Sequence, residues 1–169
     1  GRGVWVTATE EKVREATRAR VFARSLKREV KVPPDLAEKV LALLERRALD
    51  ALSIANKAGL VTAGFAQVDD LVGKGSVAVL LHARDAALGG AEKLDRKYKA
   101  VARSAGRDAR IETLFTVEQM SLAMGRSNVV HAALTQGGAT VKFLNEAGRV
   151  LRYRPVSVEE KGSPDTLGA

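Results

Sequence analysis

A chain of 169 residues, 46% apolar and 28% charged, has room for one well-buried domain or for one domain with a smaller appendage, and reads as globular and soluble. Aromatic residues at 4% argue against a single-strand binder built on stacking platforms, and zero cysteines remove disulfides, thiol catalysis and the usual zinc sites. Lys and Arg number 28 against 20 Asp and Glu, a formal charge of +8 that draws polyanions whatever the fold. No run of about 18 apolar residues and no signal-peptide pattern is present, so nucleic acid rather than membrane is the expected partner and the cytoplasm the expected compartment.

After Gly1-Arg2-Gly3, the run Val4-Trp5-Val6 reads as a short strand. "TATEEKV" then starts a helix, since Thr7 or Thr9 can accept backbone N–H bonds and Glu10 and Glu11 complement the positive helix end. Projected at about 100° per residue, Lys12 to Lys31 sorts by face. Ala16, Ala19, Phe22, Ala23, Leu26 and Val30 fall on one side, and Arg14, Arg18, Arg20, Arg24, Lys27, Arg28 and Lys31 on the other. A solvated helix face normally interleaves both signs, because like charges repel, so a one-signed face points to phosphates opposite it. Pro33 and Pro34 end this helix and open the next, which carries Leu36, Val40, Leu43, Leu44, Leu52 and Ile54 at helical spacing and stops at Gly59.

From Gly59 short apolar strands alternate with helices. "LVTAG", "SVAVLLHARD", "RIETLF" and "NVVHAALTQ" read as strands; "FAQVDDLVGKG", "GGAEKLDRKYKAVARSAG", "TVEQMSLAMG" and "GGATVKFLNEAGRVL" read as helices. That rhythm predicts an α/β fold, a three-layer α/β/α sandwich with a central four-stranded mixed sheet, preceded by a small basic strand-helix module. The expected divisions are residues 1–34, 35–152 and 153–169, the last a mobile terminus of Pro, Gly, Ser and charge without periodicity.

Catalytic signals are sparse. "GKGS" resembles a P-loop, but Val68 stands where the first glycine belongs and the order is helix then strand. "LGGAEK" sets Gly89 and Gly90 ahead of a helix, where free N–H groups could hold an anion; without a dinucleotide fingerprint a plain glycine turn is the favoured reading. His82 and His131 each fall inside a strand and read as core or sheet-edge histidines rather than ligands or bases. No serine sits in a nucleophile elbow. A noncatalytic protein without cofactors is expected. The second basic cluster, from Lys93 to Arg110, is diluted by Glu92, Asp95 and Asp108 and reads as a solvated face.

"GRGVWV" followed by "ARVFARSLKR" resembles the second half of the YlxR family of small bacterial nucleic-acid-binding proteins. The stretch "LSIANKAGLVTAGFAQVDDLVGKGSVAVLLHARDA", continuing through "EQMSLAMGRSNVVHAAL", is similar to bacterial YlxQ-like proteins, relatives of the ribosomal proteins that bind kink-turns in RNA. Together the two cover residues 1 to about 152. The resemblance implies RNA as ligand, with transcription elongation or termination factors or the ribosome as neighbours, and no enzyme. It places an RNA-facing loop at Gly64, Phe65, Ala66, Gln67 and Asp70, where the relatives have Gly-x-Asn-Glu-x-x-Lys. Gly64 is kept and Gln67 stands in for Glu, while Ala66 replaces Asn and Asp70 replaces Lys, which turns the expectation from kink-turn recognition to RNA binding of another kind. A second contact loop matches Met120 and Ser121, with Gly125 and Arg126 retained. YlxR-type domains have further strands and a Cys-containing segment before Gly-Arg-Gly, so the chain is expected to be shortened at its front, leaving Val4 to Val6 without neighbours.

The expected nucleic-acid-binding residues are therefore Arg2, Arg14, Arg18, Arg20, Arg24, Lys27, Arg28 and Lys31 from the basic module, and Gly64, Phe65, Gln67 and Arg126 from the sandwich. Phe65 either stacks on a base or packs inward. The alternative function is an adaptor whose basic face meets an acidic protein surface.

Overall fold

The structure, a computed structural model, describes residues 3–154; Arg2 and the expected tail beyond Arg154 lie outside the described residues. Its elements in chain order are α1 (Glu10–Arg18), α2 (Val21–Leu26), α3 (Leu36–Lys57), β1 (Val61–Ala63), α4 (Phe65–Gly73), β2 (Val77–His82), α5 (Leu88–Ser104), β3 (Ile111–Glu112), α6 (Val117–Met124), β4 (His131–Thr135) and α7 (Gly138–Tyr153). The four strands form one mixed sheet in the order β1-β4-β2-β3, with β4 antiparallel to both β1 and β2 and β3 parallel to β2.

Alternation along the strands fills two cores. Val79 and Leu81 of β2 and Ala132 and Leu134 of β4 pack with Ala48, Leu52 and Ala55 of α3, Met120 of α6 and Phe143 and Ala147 of α7. Leu80 and Ala133, pointing the other way, pack with Val68 and Val72 of α4 and Leu94 and Tyr98 of α5. A helical layer thus covers each sheet face, and the expected three-layer sandwich is the observed one. No helix among the described residues is long and apolar enough to cross a membrane.

The structure departs from expectation in three ways. Val4 to Val6 are not a strand: the segment pairs with no neighbour among the described residues, Val6 packs beside Val13 and Ala37, and Trp5 is 97% exposed. Apolar residues favour a strand only where a ladder partner satisfies their backbone groups.

The single helix expected over Lys12 to Lys31 is two short ones. Thr9 Oγ1 caps α1 by accepting from the Lys12 N–H at 3.3 Å, the Ala19 N–H closes it on Glu15, and Arg20 turns left-handed at φ 51° before α2 begins. Lys27, at φ 52°, ends α2 well before the prolines. β-branched Val30 and Val32, with Val32 held extended by Pro33, disfavour continuation. Seven cations on one straight face therefore become a basic surface that bends twice.

Tyr153, expected in the tail, is instead the last residue of α7; it is 1% exposed and its hydroxyl donates to the Ala37 carbonyl at 2.6 Å. With Val13 it forms a small apolar cluster that seats α1 against the start of α3 and the end of α7.

Candidate nucleic-acid interface

Because β4 runs against β1 and β2 while β3 runs with β2, strands β1, β2 and β3 all end at one edge of the sheet, where β4 begins. Helices α4, α5 and α6 start at that edge, each within a few residues of a strand end. Three helix N-termini with partly positive N–H groups thus gather around the loops after β1, β2 and β3, the crevice where open α/β sheets bind ligands.

Gly64 opens this edge. Its φ of 101° suits glycine, and its N–H donates to the His131 carbonyl at 3.0 Å, which pins the α4 entry to the first residue of β4. The Gln67 side chain folds back over it; a Cβ at Gly64 would stand 2.6 Å from Gln67 Oε1. Phe65 packs partly inward: its ring and that of His131 are in a T-shaped arrangement with centroids 5.9 Å apart, and the residue stays 36% exposed. Lys93 Nζ lies 5.5 Å from the Phe65 centroid, a cation over an aromatic face. Sequence proximity had assigned Lys93 to the solvated face of α5, because its ring partner lies far back in the chain.

Asp70 holds Lys74 Nζ at 2.7 Å on the exposed side of α4, and that ammonium keeps its carboxyl below the usual range. Arg126 follows Gly125, the left-handed C-cap of α6 at φ 63°, in the loop that leads into His131. Gly89 and Gly90 lie in the first turn of α5, whose N-cap, Ala87, offers no side-chain acceptor or donor.

The histidines that sequence treated separately meet. Antiparallel register pairs His82, the last residue of β2, with His131, the first of β4, and strand alternation turns both toward α4 and α5. The two Nδ1 atoms are 2.8 Å apart, and His82 Nε2 is 2.7 Å from Asp95 Oδ1 on α5. Both rings are buried, at 4% and 7% exposure. Burial first, and then the neighbouring His82, push the His131 imidazole below its ordinary value, against a smaller opposing pull from Asp95. Among the described residues, no group of three or more His, Cys, Asp or Glu is placed to hold a metal ion.

At the front, Arg14 is committed to structure. It meets Glu10 and Glu38, each at 2.6 Å, and Lys12 meets Glu15 at 2.8 Å. Arg18, Arg20, Arg24, Lys27, Arg28 and Lys31 are all exposed, and none has a carboxylate partner among the described residues. Part of the α5 cluster is spent within the fold, Lys97 on Asp69 at 2.9 Å, Arg107 on the Gly75 carbonyl at 2.8 Å and Arg110 on Glu112 at 3.2 Å, while Arg96, Lys99 and Arg103 are exposed and have no carboxylate partner among the described residues.

No family model matches the chain, and no curated protein does. Among solved structures, a Bacillus halodurans C protein of unknown function aligns with a TM-score of 0.49 and 20% identity, over 60% of this chain and 97% of that one. A Giardia lamblia 15.5kD RNA binding protein aligns with a TM-score of 0.46 and 14% identity, over 64% of this chain and 88% of that one.

Proposed function

We propose that this protein binds RNA without catalysing a reaction, with the basic front supplying phosphate affinity and the sheet edge around Gly64 and Phe65 supplying recognition. One observation carries the reading: the six exposed cations from Arg18 to Lys31 have no carboxylate partner among the described residues, and Glu29 is the one acidic residue in that span, while the nearby Glu10, Glu15 and Glu38 meet Lys12 and Arg14. Such a surface repels itself unless an anion neutralises it, and a phosphodiester chain is the extended anion that fits a basic strip which changes direction. The half-exposed Phe65 with Lys93 above it, beside the first turn of α5, offers the second element, a stacking face flanked by positive charge.

The resemblance of the two halves to YlxR and YlxQ-like proteins supports the same reading and suggests a setting near transcription termination or the ribosome. Asp70 directs it away from a kink-turn, since a carboxylate already paired with Lys74 stands where a phosphate contact is needed. Crosslinking the protein to RNA in cells and sequencing the bound fragments tests the proposal. Enriched RNA species that disappear when Arg18, Arg24 and Arg28 are replaced together are expected. Partners retained after ribonuclease treatment, with no crosslinked RNA, would instead favour protein docking.

A further inference from the structure

Resting on the RNA-binding reading, we propose that His131 Nε2 accepts a hydrogen bond from a ribose 2′-hydroxyl of a nucleotide lying against Phe65, and thereby makes the sheet edge prefer RNA to DNA. The chemistry of the buried chain fixes what that nitrogen presents. A carboxylate oxygen accepts, so His82 Nε2 carries the proton of the 2.7 Å contact to Asp95 Oδ1. A neutral His82 then has a bare Nδ1, and the 2.8 Å contact to His131 Nδ1 requires the proton on His131. A neutral His131 protonated at Nδ1 is bare at Nε2. One further proton on the pair, whichever ring holds it, places a hydrogen on that Nε2. The atom is therefore an acceptor only while the pair is neutral.

Geometry puts this acceptor at the candidate interface. His131 Nε2 has no protein partner among the described residues, and it lies 3.0 Å from where a Cβ on Gly90 would stand. Helical Cβ atoms tilt toward the helix N-terminus, so Nε2 sits beside the first turn of α5, under the half-exposed Phe65. Glycine at position 90 spares it the contact that a Cβ would make, and Nε2 is not among the fully buried, unpartnered side-chain atoms of the described residues. The groups bearing on His131 are His82 from β2 and Asp95 from α5, with Phe65 contributed by α4 and Lys93 of α5 beyond the ring. Burial and His82 together keep His131 neutral at neutral pH, which is the state that accepts. The 2′-hydroxyl is the ribose donor that DNA lacks.

The test compares binding of a random-sequence RNA pool and a DNA pool of the same length by the wild-type chain, His131→Asn and Gly90→Ala. His131→Asn retains an amide that can reach His82 but has no atom at the Nε2 position. Gly90→Ala keeps both histidines and crowds Nε2 directly, so that the His131 ring must give by a few tenths of an ångström. The wild-type chain should prefer RNA about fivefold at neutral pH, the equivalent of one hydrogen bond. The preference should vanish in both variants, and in the wild-type chain it should fall as the pH is lowered far enough to protonate His131, whose pKa lies below the ordinary value. Equal binding of both pools by the wild-type chain at neutral pH, or a preference that survives in both variants, would overturn the assignment while leaving RNA binding intact. Failure to bind either pool would remove the RNA-binding reading and this inference with it.

Discussion

The Arg14 guanidinium lies 2.6 Å from the Glu38 carboxylate, which ties this cation of the basic module to α3 and sets it apart from those between Arg18 and Lys31, which have no carboxylate partner among the described residues. Both groups are exposed, so the tie is a weak one. Arg14→Ala should lower the melting temperature slightly and leave the salt dependence of RNA binding as it is. Parallel melts and titrations at several salt concentrations check this; a flattened salt dependence would mean that Arg14 leaves Glu38 to meet phosphate.

Phe65 divides its surface between His131 and solvent, so its removal should cost binding more than stability. Phe65→Ala should weaken RNA affinity by about 1–3 kcal/mol, the range for one stacked base, while the urea midpoint moves little. A large fall in the urea midpoint with unchanged affinity would show that the ring belongs to the core alone.

Burial of the histidine pair predicts acid sensitivity. The His131 pKa is lowered in the folded state from its ordinary value of 6.5, so below that value the unfolded chain binds more protons than the native one. Stability should therefore be fully present above the ordinary value and decline as pH falls through it toward the lowered folded value. Denaturation by urea across this range should show that decline, and His131→Asn should reduce it. A stability profile that is flat between neutral and mildly acidic pH would contradict the buried pair.

Tyr153 joins the end of α7 to the start of α3 through one buried hydrogen bond to Ala37. Tyr153→Phe should cost about 1 kcal/mol in urea unfolding, because the Ala37 carbonyl loses its phenol donor while the ring still fills the same space. A neutral result would place that carbonyl in contact with water.

The sandwich was legible because its punctuation is local. Pro33 and Pro34 precede α3, and Gly59, at φ 76°, follows it; strands with residues such as Val79, Leu80 and Leu81 are buried on both faces and read as unbroken apolar runs. The break at Ala19 and Arg20 was not legible, since no glycine or proline marks it and an arginine occupies the left-handed position. Val4 to Val6 carry strand composition without a partner strand among the described residues, and composition cannot supply one. The site was half legible. Gly64, Phe65, Gln67 and Arg126 came from motif order, but the pairing of His82 with His131 arises from the register of strands far apart in sequence, and Lys93 reaches Phe65 only through the packing of α5 on α4.

The central claim is that the exposed cations between Arg18 and Lys31 meet phosphate, and the salt dependence of RNA affinity tests it most directly. Each phosphate contact contributes about 0.7 to 0.9 to the slope of log affinity against log salt. Replacing Arg18, Arg24 and Arg28 together with alanine should reduce that slope by about two to three and weaken binding at low salt. An unchanged slope and an unchanged affinity in the triple variant would contradict the account.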